Sequence, residues 1–404
     1  MKKILVIAFS CLPKRGSEPG VGWNWSITAA KAGYDVTTLT RTKCRTKIET
    51  EIPEDLANNL HFIYCDSSSK LRKLSIYLEY IDWQRRIKKF MKKLLYSECF
   101  DRIWFLTWGN LFLPVGICKT DIPIIWGPIG GGEAVPKLFW KKWKIKDKIP
   151  QIIRALLIKT IPINYMILKM ARRSWKIIAR TEETKSVFPL KYQKKISIKL
   201  ETCFDVNEIL GEKREKREEK ENINILYTGR LIPLKNVEML IRAFSECCKK
   251  TKKALFLSVV GDGTQKNVLK ELAQRLEVSN ISFEGNIDHT EVLHKLETCD
   301  IFAFSSLKEG ASWSILEAMS MGKPIVCLNL SGIKATTSDE CAYRVNIEDG
   351  NTIGDIQKKY SLALLNMINL SDEKRRSIGM KGIQRIRDEF SVESNIDIVK
   401  QWME

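Results

Sequence analysis

Short runs rich in Val, Ile and Phe alternate along the chain with stretches of helical spacing. In the N-terminal half the apolar runs are Ile4–Phe9, Asp35–Arg41, His61–Cys65, Arg102–Trp108, Ile122–Trp126 and Lys176–Arg180, and helical patterns fill 20–33, 70–96 and 149–172. Strands buried on both faces read as continuous apolar runs, so the alternation predicts a parallel sheet covered by helices. Near residue 205 the pattern pauses. Glu212–Glu221 (EKREKREEKE) alternates both signs of charge, as a linker or short exposed helix does. A second series follows, with strands expected at Ile223–Thr228, Leu255–Val260, Ile281–Glu284, Ile301–Ser305 and Pro324–Cys327. Its helices are expected at 236–250, 264–276, 290–298, 313–321 and 371–389. The prediction is an α/β chain of two doubly wound, Rossmann-like domains, 1–205 and 206–389, with 390–404 as a helix packing back on the first.

Composition agrees with that division. A chain of 404 residues exceeds the roughly 250–300 at which one core stops growing. With 44% hydrophobic and 28% charged residues it is globular, not disordered. Its 11 cysteines are odd in number and show no paired C-x-x-C spacing, which fits reduced thiols in the cytoplasm. Ile4–Phe9 is too short for a secretory signal and runs into a glycine-rich loop, so it is expected as the first strand. No apolar stretch approaches the roughly 20 residues that span a bilayer.

The net charge of +19 is local. Residues 70–93 carry nine Lys/Arg against Glu79 and Asp82, and residues 136–176 carry twelve against Asp147, so these two stretches hold 18 of the 19 net charges. In the second, Lys and Arg are interleaved with Trp, Leu and Ile, the pattern of a helix lying in a membrane interface, although a helix packed on the sheet with a basic outer face shares it. The same charge suits nucleic acid, but no nucleic-acid motif accompanies it.

Candidate chemistry is concentrated in the second series. In YTGRLIPLKNVEMLIRAF, residues 227–244, a buried strand ends at Gly229, and Arg230 and Lys235 occupy the loop before a helix capped near Asn236. Strand C-termini in such sheets open into the ligand crevice, where two cations can stabilise a departing diphosphate; solvated loop charges look the same. VVGDG places Gly261 in a turn before a helix N-terminus, a place for phosphate or a purely structural turn. Asn286 and Ile287 follow a strand, with backbone able to meet a base edge. In SSLKEGASWSILEAM, Glu309 stands in a loop and Glu317 eight residues on, inside a helix. Each carboxylate can accept two hydroxyl donors, suiting Glu309 to a hexose and Glu317 to a ribose diol. Between them the amides of Gly310, Ala311, Ser312 and Trp313 begin the helix.

These segments resemble glycosyltransferase family 4, with the two-domain GT-B fold. GRLIPLK is similar to the family's G-R-x-x-x-x-K loop, VVGDG to its glycine turn and EGASWSILEA to its E-x7-E motif, over residues 223–330. The resemblance implies two domains facing a cleft and a retaining hexosyltransferase whose co-substrate is a nucleotide sugar, UDP- or GDP-linked. Arg230 and Lys235 would grip the diphosphate, Glu309 the donor sugar and Glu317 the ribose. Gly20 and Gly22, in the segment Gly16–Gly22 after the first strand, would approach the donor phosphates by their backbone. The family often carries a histidine at the end of a later N-terminal strand. This chain has only His61, His289 and His294, none of them there. The corresponding strand end reads WGPIGGGE, where Glu133 either supplies the missing polar contact or is a plain loop carboxylate; His289 and His294 are expected on the surface. No D-x-D and no His/Cys/Asp cluster with ligand spacing occurs, so no metal and no further cofactor is expected. The expected partners are the nucleotide sugar, a glycan or lipid-linked acceptor and an anionic membrane surface met through 70–93 and 136–176, which places the enzyme on the inner face of the cell membrane in cell-surface polysaccharide synthesis. A catalytically silent nucleotide-sugar-binding subunit of a membrane assembly and a basic RNA-binding protein are the competing readings.

Overall fold

The computed structural model describes residues 1–14, 17–106, 108–205 and 222–404, so the charged run Glu212–Glu221 lies outside the described residues. Two compact units result. The first comprises Met1–Gly132, Leu156–Glu208 and Glu389–Glu404, the second Glu133–Ala155 and Ile209–Asp388.

In the first unit seven parallel strands run in the order β3-β2-β1-β4-β5-β6-β7: β1 (Lys3–Ile7), β2 (Asp35–Thr40), β3 (Leu60–Tyr64), β4 (Arg102–Phe105), β5 (Ile124–Ile129), β6 (Ser174–Ala179) and β7 (Ile196–Ile198). In the second the order is β10-β9-β8-β11-β12-β13, with β8 (Asn222–Thr228), β9 (Ala254–Val260), β10 (Ile281–Gly285), β11 (Ile301–Phe304), β12 (Ile325–Leu328) and β13 (Ala342–Val345). Both orders change direction beside the first strand of the unit, which is the doubly wound arrangement. β1, β5, β11 and β12 are buried almost throughout, as their unbroken apolar runs require.

The helices of eight or more residues are α1 (Ser17–Lys31), α2 (Ile76–Ser97), α3 (Ile145–Thr160), α4 (Tyr165–Arg173), α5 (Val237–Lys250), α6 (Lys266–Arg275), α7 (His289–Thr298), α8 (Trp313–Ser320), α9 (Ile353–Asn369), α10 (Asp372–Phe390) and α11 (Val392–Met403). Two expected helices are interrupted. The 70–96 pattern breaks at Ser75, which is extended and whose hydroxyl accepts from the Tyr77 amide. The 149–172 pattern bends by 51° after Ile163, where Pro162 ends the first piece and the Asn164 side chain caps α4 by accepting from Met166 and Ile167. α9 was not anticipated, although it opens with a capping box between Thr352 and Asp355.

The first unit is closed by the chain's C-terminal helix. Trp402 of α11 stacks on Trp25 of α1 at 5.2 Å and meets Trp104 of β4 edge-on at 5.7 Å. Phe204 joins this C-terminal segment by donating its amide to the Phe390 carbonyl and accepting from the Val392 amide, both at 3.0 Å. Residues 133–155, assigned by sequence to the first domain, belong to the second unit. There Phe139 is buried, and Phe139 and Trp143 share a hollow with Pro233, Val237 and Val268, a packing that no linear pattern encodes. All eleven cysteines are free thiols. Among the described residues no single helix is long and apolar enough to cross a membrane.

Candidate active site

The site grows from the C-terminal ends of β8, β9 and β11. Beyond β8 the ladder continues: the Gly229 amide donates to the Val260 carbonyl at 3.0 Å, Leu231 to Asp262 at 2.8 Å, and Gly261 to Gly285 at 2.7 Å. The glycine turn after β9 is therefore internally satisfied. Gly263 donates to the Asp262 carboxylate at 2.7 Å, Lys266 pairs with the same side chain, and the Gln265 amide donates to the Leu231 carbonyl. Gly229 and Gly261 shape the strand ends without presenting their own amides to a ligand.

The loop after β8 passes through a turn at Pro233–Lys235 and enters α5 from Asn236, which is left-handed (φ 50°). Asn236 makes no side-chain cap; its amide group lies 3.5 Å from the Met239 sulfur instead. The loop after β11 is bonded to this one, Leu307 N–H to the Leu234 carbonyl at 3.0 Å and Ser305 Oγ to the Lys235 carbonyl at 3.1 Å. That backbone contact brings two distant side chains together. Lys235 Nζ forms an ion pair with Glu309 Oε1, both side chains nearly out of solvent at 12% and 13% exposure. Ser306 Oγ donates to the same oxygen at 2.6 Å, and the ammonium lies over the Phe304 ring at 5.4 Å. Arg230, at the mouth of the loop, is exposed and forms no salt bridge among the described residues.

Glu309 is held from behind by a short helix, Ser331–Thr336. The Gly332 amide donates to the Glu309 carbonyl at 3.2 Å. A Cβ on Gly332 would fall 1.3 Å from the Gly310 carbonyl oxygen, so the Glu309–Gly310 backbone lies directly on the glycine. Gly310, Ala311 and Ser312 lead into α8, which starts at Trp313 and turns the positive end of its dipole toward this loop. Glu317, one turn into α8, is mostly buried, and its Oε1 lies 2.9 Å from His289 Nε2 of α7. His289 is on the surface, as expected, yet it holds the carboxylate assigned to the ribose. Asn286 is exposed and Ile287 half-buried in the turn before α7.

Glu133 is buried, and Arg154 of α3 secures it twice: Nε donates to its carbonyl at 2.7 Å and Nη2 meets its Oε2 at 3.4 Å. Sequence reading missed Arg154, and missed Lys308, which sits within the fields of Arg154, Glu133, Glu309 and Lys235. Burial first, then Arg154, pushes the Lys308 ammonium down to about 8, against the opposing pull of Glu133 and Glu309. Only the position next to Glu309 could have marked it. Gly20 and Gly22 are not in a loop: both lie within α1 of the first unit, and a Cβ on Gly22 would meet the Ser10 carbonyl at 2.1 Å. Gly22 thus lets α1 lie against the end of β1, while Gly16 is outside the described residues.

The Lys308 environment has a measurable signature. The folded chain releases this proton near pH 8, whereas the unfolded chain retains it up to the ordinary lysine value of 10.5. At this group the unfolded state therefore binds more protons between those values, and its contribution to stability rises with pH across that window. Lys308→Met is expected to remove this contribution to the slope and to raise Tm at neutral pH by about 2–4 °C, the equivalent of roughly 1 kcal/mol in a domain of this size. Thermal melts from about pH 7.5 to 10 check it, and equal slopes in the two proteins reject it.

Comparison with known proteins gives consistent matches. Residues 211–385 match the family described as Glycosyl transferases group 1. An uncharacterized glycosyltransferase of Methanocaldococcus jannaschii is 34% identical over 134 residues, 33% of this chain and 34% of that protein. The alpha-monoglucosyldiacylglycerol synthase of Streptococcus pneumoniae is 25% identical over 204 residues, 48% and 46% of the two chains. The chain thus spans between a third and a half of the length of these two curated relatives. The crystal structure of Anabaena HepE in complex with UDP superposes with a TM-score of 0.55 at 14% identity, covering 100% of this chain and 99% of that one. In fold, the two parallel-sheet, Rossmann-like units match structures of GT-B glycosyltransferases.

Proposed function

We propose that this chain, with its group 1 glycosyl transferase region, is a retaining, metal-independent hexosyltransferase that moves a sugar from a nucleoside diphosphate to a lipid-linked or membrane-held glycan in cell-surface polysaccharide synthesis. The observation that carries the reading is the Lys235–Glu309 pair, set at adjoining strand ends beside the start of α8. A diphosphate entering there meets Lys235 and Arg230 as counter-charges. Both neutralise the charge that grows on the leaving phosphate, the work a divalent ion does in other transferases. Glu309, steadied by Ser306, accepts from the sugar hydroxyls, and Glu317, steadied by His289, from the ribose diol. The nucleotide departs from the same face on which the acceptor attacks, and the leaving phosphate takes the acceptor proton. The proposed donor is UDP- or GDP-linked. UDP in the HepE structure and the glycolipid name of the pneumococcal relative favour this substrate class.

The acceptor assignment draws on the basic half. No residue of α3 is buried, and Ile145, Ile149, Ile152, Ile153 and Leu156 form one exposed apolar face between its lysines. Such a helix lies in the headgroup region of the inner leaflet, with each nearby Lys or Arg contributing roughly 1 kcal/mol toward anionic lipid. Two measurements test the reading. A panel of UDP-, GDP- and ADP-sugars is expected to show turnover of at least one donor with retention at the anomeric carbon; no turnover and no nucleotide binding overturns it, and tight binding without turnover identifies a silent subunit. Sedimentation with phosphatidylglycerol vesicles is expected to fall at least ten-fold for Ile149→Asp/Ile153→Asp, and unchanged sedimentation removes the membrane face.

A further inference from the structure

The first unit contains a cavity of about 600 Å³ that the donor chemistry does not use. Its size is that of a small-molecule site, typically about 300–1,000 Å³. Leu111, Trp126, Ile167 and Met170 form a floor that is almost wholly buried. Residues 111–117 form one wall, and this loop is fixed. Gly116 donates to Gln84 Oε1 of α2 at 2.6 Å, and the Leu111 amide to the Gly130 carbonyl at 2.9 Å. The rim is basic: Lys88, Lys119, Lys169 and Arg173, with no acidic side chain among the described residues lining the cavity. Arg173 is held in place by donating to the Cys118 carbonyl at 2.6 Å.

Two lining residues connect the cavity to the surface. Leu157 and Met166 are 41% and 59% exposed, so the mouth of the cavity carries apolar side chains open to solvent.

We infer that this cavity receives the hydrocarbon chain of the acceptor lipid, with the lipid's phosphate seated among Lys88, Lys119, Lys169 and Arg173. The inference rests on the lipid-linked acceptor proposed above. Apolar depth with an all-cationic rim selects an anionic amphiphile over a neutral one: the chain gains by leaving water, and the phosphate gains several charge-assisted hydrogen bonds. An acceptor suits the cavity better than a bulk lipid because the wall loop is bonded to Gly130, at the C-terminal end of β5, the edge at which doubly wound sheets take their ligands.

The test uses the full chain and hexadecyl phosphate carrying a diazirine on its alkyl chain. Photolysis followed by peptide mapping is expected to place the label within 111–117 and 166–170. Unlabelled hexadecyl phosphate should compete at least ten-fold better than hexadecanol. Met166→Trp, at an exposed position that fills the mouth, and Lys169→Glu should each cut labelling at least ten-fold with Tm preserved. Label confined to 145–156, equal competition by hexadecanol, or wild-type labelling of both variants overturns the inference. Labelling needs no turnover, so the two readings fail separately. Label in the cavity without transferase activity leaves the site standing, and activity on a lipid acceptor with label elsewhere sinks the cavity alone.

Discussion

Lys235→Ala is expected to lower kcat/KM for the donor by about 10²–10³-fold in a chain that still folds, the usual cost of removing one preorganised group that stabilises transition-state charge. The structure adds a second consequence. Lys235 is the counter-charge of Glu309, and without it that carboxylate keeps, among the described residues, Ser306 as its side-chain donor in a nearly dry position. Part of the loss then arises from a misplaced Glu309, so Glu309→Gln added to Lys235→Ala should cost far less than it does alone. Lys235→Arg is expected to recover only part of the activity, since a planar fork does not replace a compact ammonium seated over the Phe304 ring. Steady-state kinetics on wild type and the four variants, with melts as fold controls, decide the matter. Lys235→Ala within ten-fold of wild type, or additive losses in the double variant, would remove the pair from the chemistry.

The second large effect is at Gly332, which touches no substrate in the proposed mechanism. A methyl group there would fall 1.3 Å from the Gly310 carbonyl oxygen and 3.0 Å from that of Glu309. The obstacle is backbone, which cannot rotate away, so Gly332→Ala must displace the loop that carries Glu309. Overpacking of this kind costs typically about 1–3 kcal/mol, and the upper end is expected here. Tm should fall by several degrees and nucleotide affinity by about ten-fold or more, a loss equivalent to roughly 1.4 kcal/mol. Gly354→Ala is the control: the nearest atom to its added Cβ is Thr352 Oγ1 at 3.6 Å, and stability should hold. Calorimetric titration with UDP and GDP, alongside thermal melts, measures both effects. Equal melting and equal affinity in Gly332→Ala would show that the loop is not braced from behind.

What the sequence disclosed follows from how far each feature depends on distant residues. The buried strands are local: β1, β8 and β11 are short runs of Ile, Leu, Val and Phe, and their position and type are evident without a partner. The edge strands β7 (ISI) and β13 (AYRV) interrupt their apolar residues with Ser or Arg, and exist because a neighbouring strand offers them a ladder. α9 was legible from Thr352 and Asp355 and was overlooked. In the site, Lys235 and Glu309 stand out by motif spacing, but their contact depends on Leu307 bonding to Leu234 across 73 positions. Arg154, Lys308 and His289 have no signature of their own, because each acquires its place from a side chain on another element. Gly22 misled for the opposite reason. A glycine beside a strand end suits a phosphate loop and a close helix crossing equally well, and only the Ser10 carbonyl distinguishes them.

The return of α11 to the first unit bears on how the chain is made. Trp25 and Trp104 lie beneath Trp402, which is translated only after the whole of the second unit. The N-terminal core therefore cannot close during its own synthesis. It must wait, with two indole rings uncovered, while the whole of the second unit is translated and becomes free to fold. The unit begun first thus waits on a helix translated after the second unit, and until then its uncovered indole rings are the kind of exposed apolar surface that makes partly folded chains prone to associate.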